Sequence, residues 1–198
     1  MAMTLFRIAI LLACTSAFGL NLARAAEVGE ILEPVKLADV DDVPTDIPDF
    51  GTKVLVIFYN DADRADLNDP LADAIKAADF DQALFRGIGI ANLKDSKAPN
   101  FIIRGVIRGK IEKYDSTILT DPDRRLPNAW DLGNCNNDSI VMLVGKDRKL
   151  ERTQRGGVRG EDIDAWIAHL RRLLTPPVEA TVPSELSEGQ AAISHNRI

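Results

Sequence analysis

Residues 53–59 read Lys-Val-Leu-Val-Ile-Phe-Tyr. After the leading lysine the run is apolar or aromatic and rich in β-branched side chains. A run with no polar face to give to water predicts a strand covered on both sides, at the centre of an α/β sheet. The residues that follow, Asn60 to Asp69, form a polar loop. Pro70 then suits the first turn of a helix, and Leu71, Ala74, Ile75 and Ala78 recur at helical spacing.

The same alternation continues downstream. Phe85 to Leu93 reads as a second central strand, weakened by Gly87 and Gly89. Pro99 opens another helical pattern, with Phe101, Ile102, Val106, Ile107 and Ile111 as its apolar face and Gly105 and Gly109 in its middle. Thr117 to Thr120 is a short third strand stopped by Asp121-Pro122, and a short helical segment ends at Ala129-Trp130. Ser139 to Val144 is a fourth apolar strand. Gly145 to Arg148 turns the chain, and Lys149 to Gln154 alternates like an edge strand. Glu161 and Asp162 suit a helix N-terminus, Ile163, Trp166, Ile167, Leu170 and Leu174 form one stripe, and Arg171 and Arg172 complement the helix dipole. Pro176-Pro177 stops it.

Upstream, Val28, Ile31, Leu32, Val35 and Leu37 predict a short strand or hairpin, broken up by Asp39, Asp41, Asp42, Pro44 and Pro48. The order β-α-β-α-β-(short α)-β-β-α implies parallel strands joined by right-handed crossovers, with an antiparallel hairpin at one edge. The fold class expected is α/β, three layers around one mixed sheet, with a closing β-hairpin and a C-terminal helix.

Residues 1–25 have the marks of a secretory signal. Arg7 is its positive start, Ile8 to Leu22 its apolar stretch, and Ala23-Arg24-Ala25 a small-x-small cleavage site. The downstream A-x-A site favours cleavage over two alternatives, a membrane anchor and a lipoprotein modified at Cys14. Expected boundaries are a signal at 1–25, one domain at 26–174 and a disordered tail at 175–198, rich in Pro, Ser, Glu and Ala. The signal holds two of the 24 basic residues and none of the 30 acidic ones, leaving a mature net charge of −8. That balance argues against nucleic acid and anionic membrane surfaces as partners. Arg152, Arg155 and Arg159 read as a solvated edge strand and turn.

Several phrases resemble the thioredoxin-like superfamily in its peroxiredoxin and TlpA-type branch. KVLVIFYNDADRADLNDPLADAIK (53–76) is similar to its strand, active-site loop and helix. STILTDPDRRLPNAWDL (116–132) is similar to a mid-domain strand, a D-x-D turn and a short helix, and SIVMLVGKDRKLERTQRG (139–156) to the closing hairpin. With the signal, Trp130 after the D-x-D turn, and the hairpin-plus-helix ending, the chain resembles the YtfJ-like group of small exported bacterial proteins, which has no established activity.

The usual chemistry of that superfamily is missing. Dithiol proteins place two thiols two residues apart at a helix N-terminus, where the dipole stabilises a thiolate. The corresponding loop here is Tyr59-Asn60-Asp61-Ala62-Asp63-Arg64, with no thiol. A peroxiredoxin would need a cysteine there with a Thr and an Arg nearby, and of these only Arg64 is apparent. Where active members carry a cis-proline before the fourth strand, this chain has Asp138. Cys135 remains as the one cysteine outside the signal, in a loop that the resemblance places on the same edge, with Asp131 and Asp138 expected to raise its pKa.

Other chemistries lack their residues. Asp61-x-Asp63 begins like a calcium loop, but Ala65, Asp66 and Ala72 stand at the fifth, sixth and twelfth positions, so the acidic loops read as solvated turns. His169 and His195 have no metal-ligand spacing, Ser16 and Ser96 have no base partner, and Gly156-Gly157 reads as a turn rather than a phosphate loop. No catalytic residue, metal or cofactor is expected. The expected function is an exported, redox-inactive binding or accessory module of the bacterial envelope, with a protein or peptide partner and no stable membrane insertion. Its binding residues would be Tyr59, Asn60, Asp61, Asp63, Arg64, Cys135 and Asp138, by analogy with α/β sheets that bind at strand ends. The alternative is a single-cysteine redox protein using Cys135.

Mass spectrometry of the protein from its host should find a chain beginning at about Ala26. An intact Met1 would refute export by this signal, and a diacylated Cys14 would establish the lipoprotein.

Overall fold

A computed structural model describes residues 26–114 and 116–175; the expected signal at 1–25 and the tail from 176 lie outside the described residues. Seven strands form one sheet: β1 (Lys36–Ala38), β2 (Pro44–Asp46), β3 (Val54–Asp61), β4 (Phe85–Asn92), β5 (Thr117–Asp121), β6 (Ser139–Val144) and β7 (Leu150–Arg155). The helices are α1 (Asp69–Ala77), α2 (Asn100–Tyr114), α3 (Arg125–Ala129) and α4 (Glu161–Leu174). The spatial order is β2-β1-β5-β4-β3-β6-β7. β3, β4 and β5 run parallel, while β1, β6 and β7 pair antiparallel with β5, β3 and β6. The expected α/β class and mixed sheet are therefore present.

β3 is central, with β4 and β6 on either side, as its apolar sequence requires. Alternate residues serve opposite layers. Val54 and Val56 face Leu71 and Ile75 of α1 and Trp166, Ile167 and Leu170 of α4. Leu55, Ile57 and Tyr59 face the other way, against Leu126 of α3 and Trp130 just after it, and against Leu32, Val35, Leu37 and Ile47 of the N-terminal segment. α2 covers the far end of the first layer, where Ile103 and Ile107 pack with Leu93, Ala91 and Ile118. A Cβ at Gly89 in β4 would meet the Ile118 side chain at 3.4 Å, an ordinary contact.

Two expectations need correction. The N-terminal hairpin lies further along than its apolar residues suggested: Val28 and Ile31 are exposed, and the strands are β1 and β2. Asp39, expected to break the segment, makes its turn, because the carboxylate accepts from the N–H groups of Asp41 (2.8 Å) and Val43 (2.9 Å). In α2 the buried stripe is Ile103, Ile107 and the partly buried Ile111, whereas Phe101, Ile102 and Val106 point to solvent. Two stripes competed in that sequence, and the one that meets Leu93 and Ile118 is inside.

α4 closes the first layer. Acids at Glu161, Asp162 and Asp164 occupy its first turn and Arg171 and Arg172 its last, both favourable to the dipole. Trp166 is fully buried, its indole N–H donates to Gln154 Oε1 at 2.9 Å, and the Arg152 guanidinium lies 4.8 Å above its ring. Arg152 is thus not simply solvated. Trp166→Ala removes the largest side chain of this layer and should cost about 3–5 kcal/mol in urea unfolding, enough to leave a marginally stable domain partly unfolded. Arg152→Ala should cost only about 0.5–1 kcal/mol. A loss below about 1 kcal/mol for Trp166→Ala would contradict this packing.

Candidate functional site

The three parallel strands end together. Pairing aligns Asp61 of β3 with Asn92 of β4, and Asn92 with Asp121 of β5. All three side chains are buried. A buried polar group needs partners, and a buried carboxylate needs them most. Asp61 accepts from the N–H of Asp63 at 2.9 Å and of Asn137 at 2.8 Å. Asp121 accepts from the N–H groups of Arg125 (2.8 Å) and Leu126 (3.0 Å), which open α3, and from the Tyr59 hydroxyl at 3.2 Å. Asn92 accepts from the Lys94 N–H and donates to Asp95, which pairs with Arg124. Each strand-end residue thus organises the loop beyond it. Tyr59 is buried, and its phenol is pushed up, by burial first and by the Asp121 carboxylate next.

A second network locks the neighbouring edge. Asn68 sits at the N-cap of α1 but does not cap it. Its amide donates to Ser139 Oγ (2.7 Å) and to the Gly156 carbonyl (3.1 Å), and its oxygen accepts from the Val158 N–H (2.7 Å). The Ser139 hydroxyl in turn donates to Asn60. These buried bonds tie α1 to β3, β6 and the β7–α4 connection.

Arg155 holds the loop before β6. It donates to the Asn134 carbonyl (2.8 Å), to Asp138 Oδ2 (2.7 Å) and to the Leu132 carbonyl. Arg155 is exposed on the edge strand β7, as read, and its guanidinium in addition holds this loop. Inside the loop, Cys135 is buried among Tyr59, Trp130 and Leu132, on the layer opposite α1. Burial pushes the Cys135 thiol up; Arg155 opposes this, and Asp138 adds to it. The expected direction stands, but desolvation is its main cause rather than the neighbouring acids.

The two loops expected to lie side by side do so. Besides the Asp61–Asn137 bond, Arg64 Nε donates to Asn137 Oδ1 at 3.0 Å. Their residues are not equally available, however. Tyr59, Asp61 and Cys135 are buried, so they cannot meet a partner in this conformation. Asp63 and Arg64 are exposed, as are Asn134, Asn136 and Asn137, while Asn60 and Asp138 are half-buried. The acidic loops are likewise not all solvated turns, since Asp61 and Asp121 are interior. The sequence reading missed Asn68, Ser139, Asp121 and Arg155 as site-shaping residues. Asn68 before Asp69-Pro70 carries a helix-start signal that could have pointed to it; Arg155 has no such local mark.

Between β3 and α1 run a 3-10 turn at Ala62–Arg64 and a further turn, with no sulfur in either. Among the described residues no group of three or more His, Cys, Asp or Glu side chains is placed to hold a metal, and no helix is long and apolar enough to cross a membrane.

Solved structures share the fold at low identity. The pneumococcal exposed lipoprotein thioredoxin Etrx1 from Streptococcus pneumoniae superposes with a TM-score of 0.53 at 16% identity, covering 71% of this chain and 100% of that one. The thioredoxin domain of a thiol-disulfide oxidoreductase from Bacteroides vulgatus gives 0.52 at 14% identity, covering 75% and 99%. These likenesses establish a thioredoxin-like fold. No curated protein matches the chain in sequence. The family model described as a bacterial protein of unknown function, YtfJ_HI0045, matches residues 49–173, from the turn before β3 almost to the end of α4. That span covers the strand-end row and both clamped loops, and the chain belongs to the YtfJ_HI0045 family.

Proposed function

We propose that the protein is an exported accessory module that binds a protein or peptide and carries out no thiol chemistry. The observation that carries this reading is the use of Asp61. It occupies the strand end where a thioredoxin-like enzyme begins its active-site loop, and its carboxylate is spent on two main-chain donors. The remaining thiol, Cys135, is buried on the other layer from α1, away from the helix N-terminus that would activate it. Export is supported by the charged start, apolar run and A-x-A site of residues 1–25.

The binding strip on this reading is what the two loops leave exposed: Asp63 and Arg64 on one side, Asn134, Asn136 and Asn137 on the other. Acid, base and amides so close together suit a polar peptide backbone with mixed charge. The competing reading, a single-cysteine redox protein, has one contact in its favour: the Arg155 guanidinium beside the Cys135 thiol.

Thiol assays separate the two. The mature protein should neither reduce insulin-type disulfides nor consume peroxide above a blank, and Cys135→Ser should leave its cellular role intact. Loss of a peroxide or exchange activity, or of a phenotype, on that substitution would move the site to Cys135. Reversal of both exposed charges, Asp63→Lys with Arg64→Glu, should weaken the partner, once isolated from the native envelope, by roughly tenfold or more, about 1.4 kcal/mol. Unchanged binding would remove the strip from the proposal.

A further inference from the structure

The outward face of α2 is apolar and uncovered. Phe101 is 75% exposed, Val106 57% and Ile102 49%. Phe101, Gly105 and Gly109 follow one another at single-turn steps, with Ile102 and Val106 beside them. Among the described residues, and apart from the helix's own backbone, nothing lies within 4 Å of where a Cβ on either glycine would stand. Three large apolar side chains around an open, shallow trough are not what water selects on a solvent-facing helix. The cost of the two glycines within the helix also needs an offsetting contact.

The charges around the face narrow the choice of occupant. Three cations of α2 are already matched within the chain: Arg104 to Asp42 at 2.5 Å, Arg108 to Asp41 at 2.6 Å and Lys110 to Asp66 at 2.9 Å. They therefore offer little to an anionic lipid surface or a strongly acidic partner. What remains among the described side chains is self-complementary. The first turn of α2 has no acidic residue to complement its dipole, and Lys97 is exposed just before it. Glu112 is exposed on the outward face near the other end. Two copies of α2 laid antiparallel about Gly105 bring Glu112 of each to the N-terminus and Lys97 of the other. The same alignment sets Phe101 over the space left by Gly109, and Gly105 against Gly105, so the two backbones approach closely.

We propose that this face joins two copies of the chain in a two-fold, antiparallel α2–α2 dimer with its axis at Gly105. Large faces small and acid faces the positive helix end, and each contact occurs twice. The face belongs to the helix between β4 and β5, whose inner side packs on Ala62 and whose Lys110 reaches Asp66. This inference does not depend on the proposed binding role.

Sedimentation equilibrium of the mature protein across the micromolar range tests it. A reversible dimer is expected, and Val106→Glu, at a position already exposed, should raise the dissociation constant tenfold or more with an unchanged circular dichroism spectrum. In a Cys135→Ser background, Gly105→Cys should oxidise to a covalent dimer far faster than Lys146→Cys, whose exposed turn lies elsewhere. A mixture of Phe101→Cys and Gly109→Cys chains should join to one another in preference to themselves. A monomer at every concentration would overturn the proposal. So would a dimer indifferent to Val106→Glu, or Phe101→Cys chains that pair with themselves, the mark of a parallel arrangement.

Discussion

One carboxylate does most to fix the strand-end edge of this protein. Asp61 ends the central strand, is buried, and accepts from N–H groups of two segments distant in sequence, Asp63 just beyond β3 and Asn137 just before β6. A buried carboxyl group in that position is tolerated only because both donors reach it. Remove either segment and its oxygens lose a partner; remove the side chain and two main-chain donors are stranded instead, each costing on the order of 1–3 kcal/mol. The loops are therefore held by mutual need, and the register of β3 with β6 is held with them.

The same logic repeats along the strand ends. Asp121 opens α3 and receives the Tyr59 hydroxyl, and Asn92 positions Asp95 against Arg124. In a thiol enzyme of this fold the corresponding edge must stay accessible, with a sulfur at a helix end and room for a second disulfide. Here the donors at that edge are consumed by side chains from the strands themselves. Fully satisfied polar networks rigidify, and rigid loops present a fixed outer surface. What this edge shows to solvent is a rim of Asp63, Arg64 and the asparagines 134, 136 and 137.

How much of this was legible depended on whether the information was local. β3 was readable because burial on both faces leaves an unbroken apolar run, and α4 because its stripe, acids and arginines agree. The α2 faces were not separable: Phe101, Ile102 and Val106 make as good a stripe as Ile103, Ile107 and Ile111, and only the position of Leu93 and Ile118 chooses between them. The candidate loops were correctly placed side by side, yet Asp61 and Asp121 looked like ordinary turn aspartates. Their burial comes from strand register, which a linear reading does not contain. Asn68, Ser139 and Arg155 act across 17 to 90 residues of chain, and no spacing rule signals such bonds.

Cys135 shows how the two levels must be joined. By sequence it is a lone thiol in a polar loop, flanked by asparagines. The fold instead turns it inward against Tyr59 and Trp130, because Arg155 draws the carbonyls of Leu132 and Asn134 and the Asp138 carboxylate toward one guanidinium. The loop's polar backbone is satisfied by that cation on its outer side, which leaves the small apolar sulfur as the group best suited to fill the inner side. The thiol is consequently a packing element whose ionisation burial opposes, and the arginine beside it is occupied with carbonyls and a carboxylate. A neighbouring cation activates a thiol only when the sulfur is also solvated or freely approached. At Cys135 the cation is present and the access is not, so the same arginine that could have made a reactive cysteine here builds a closed loop.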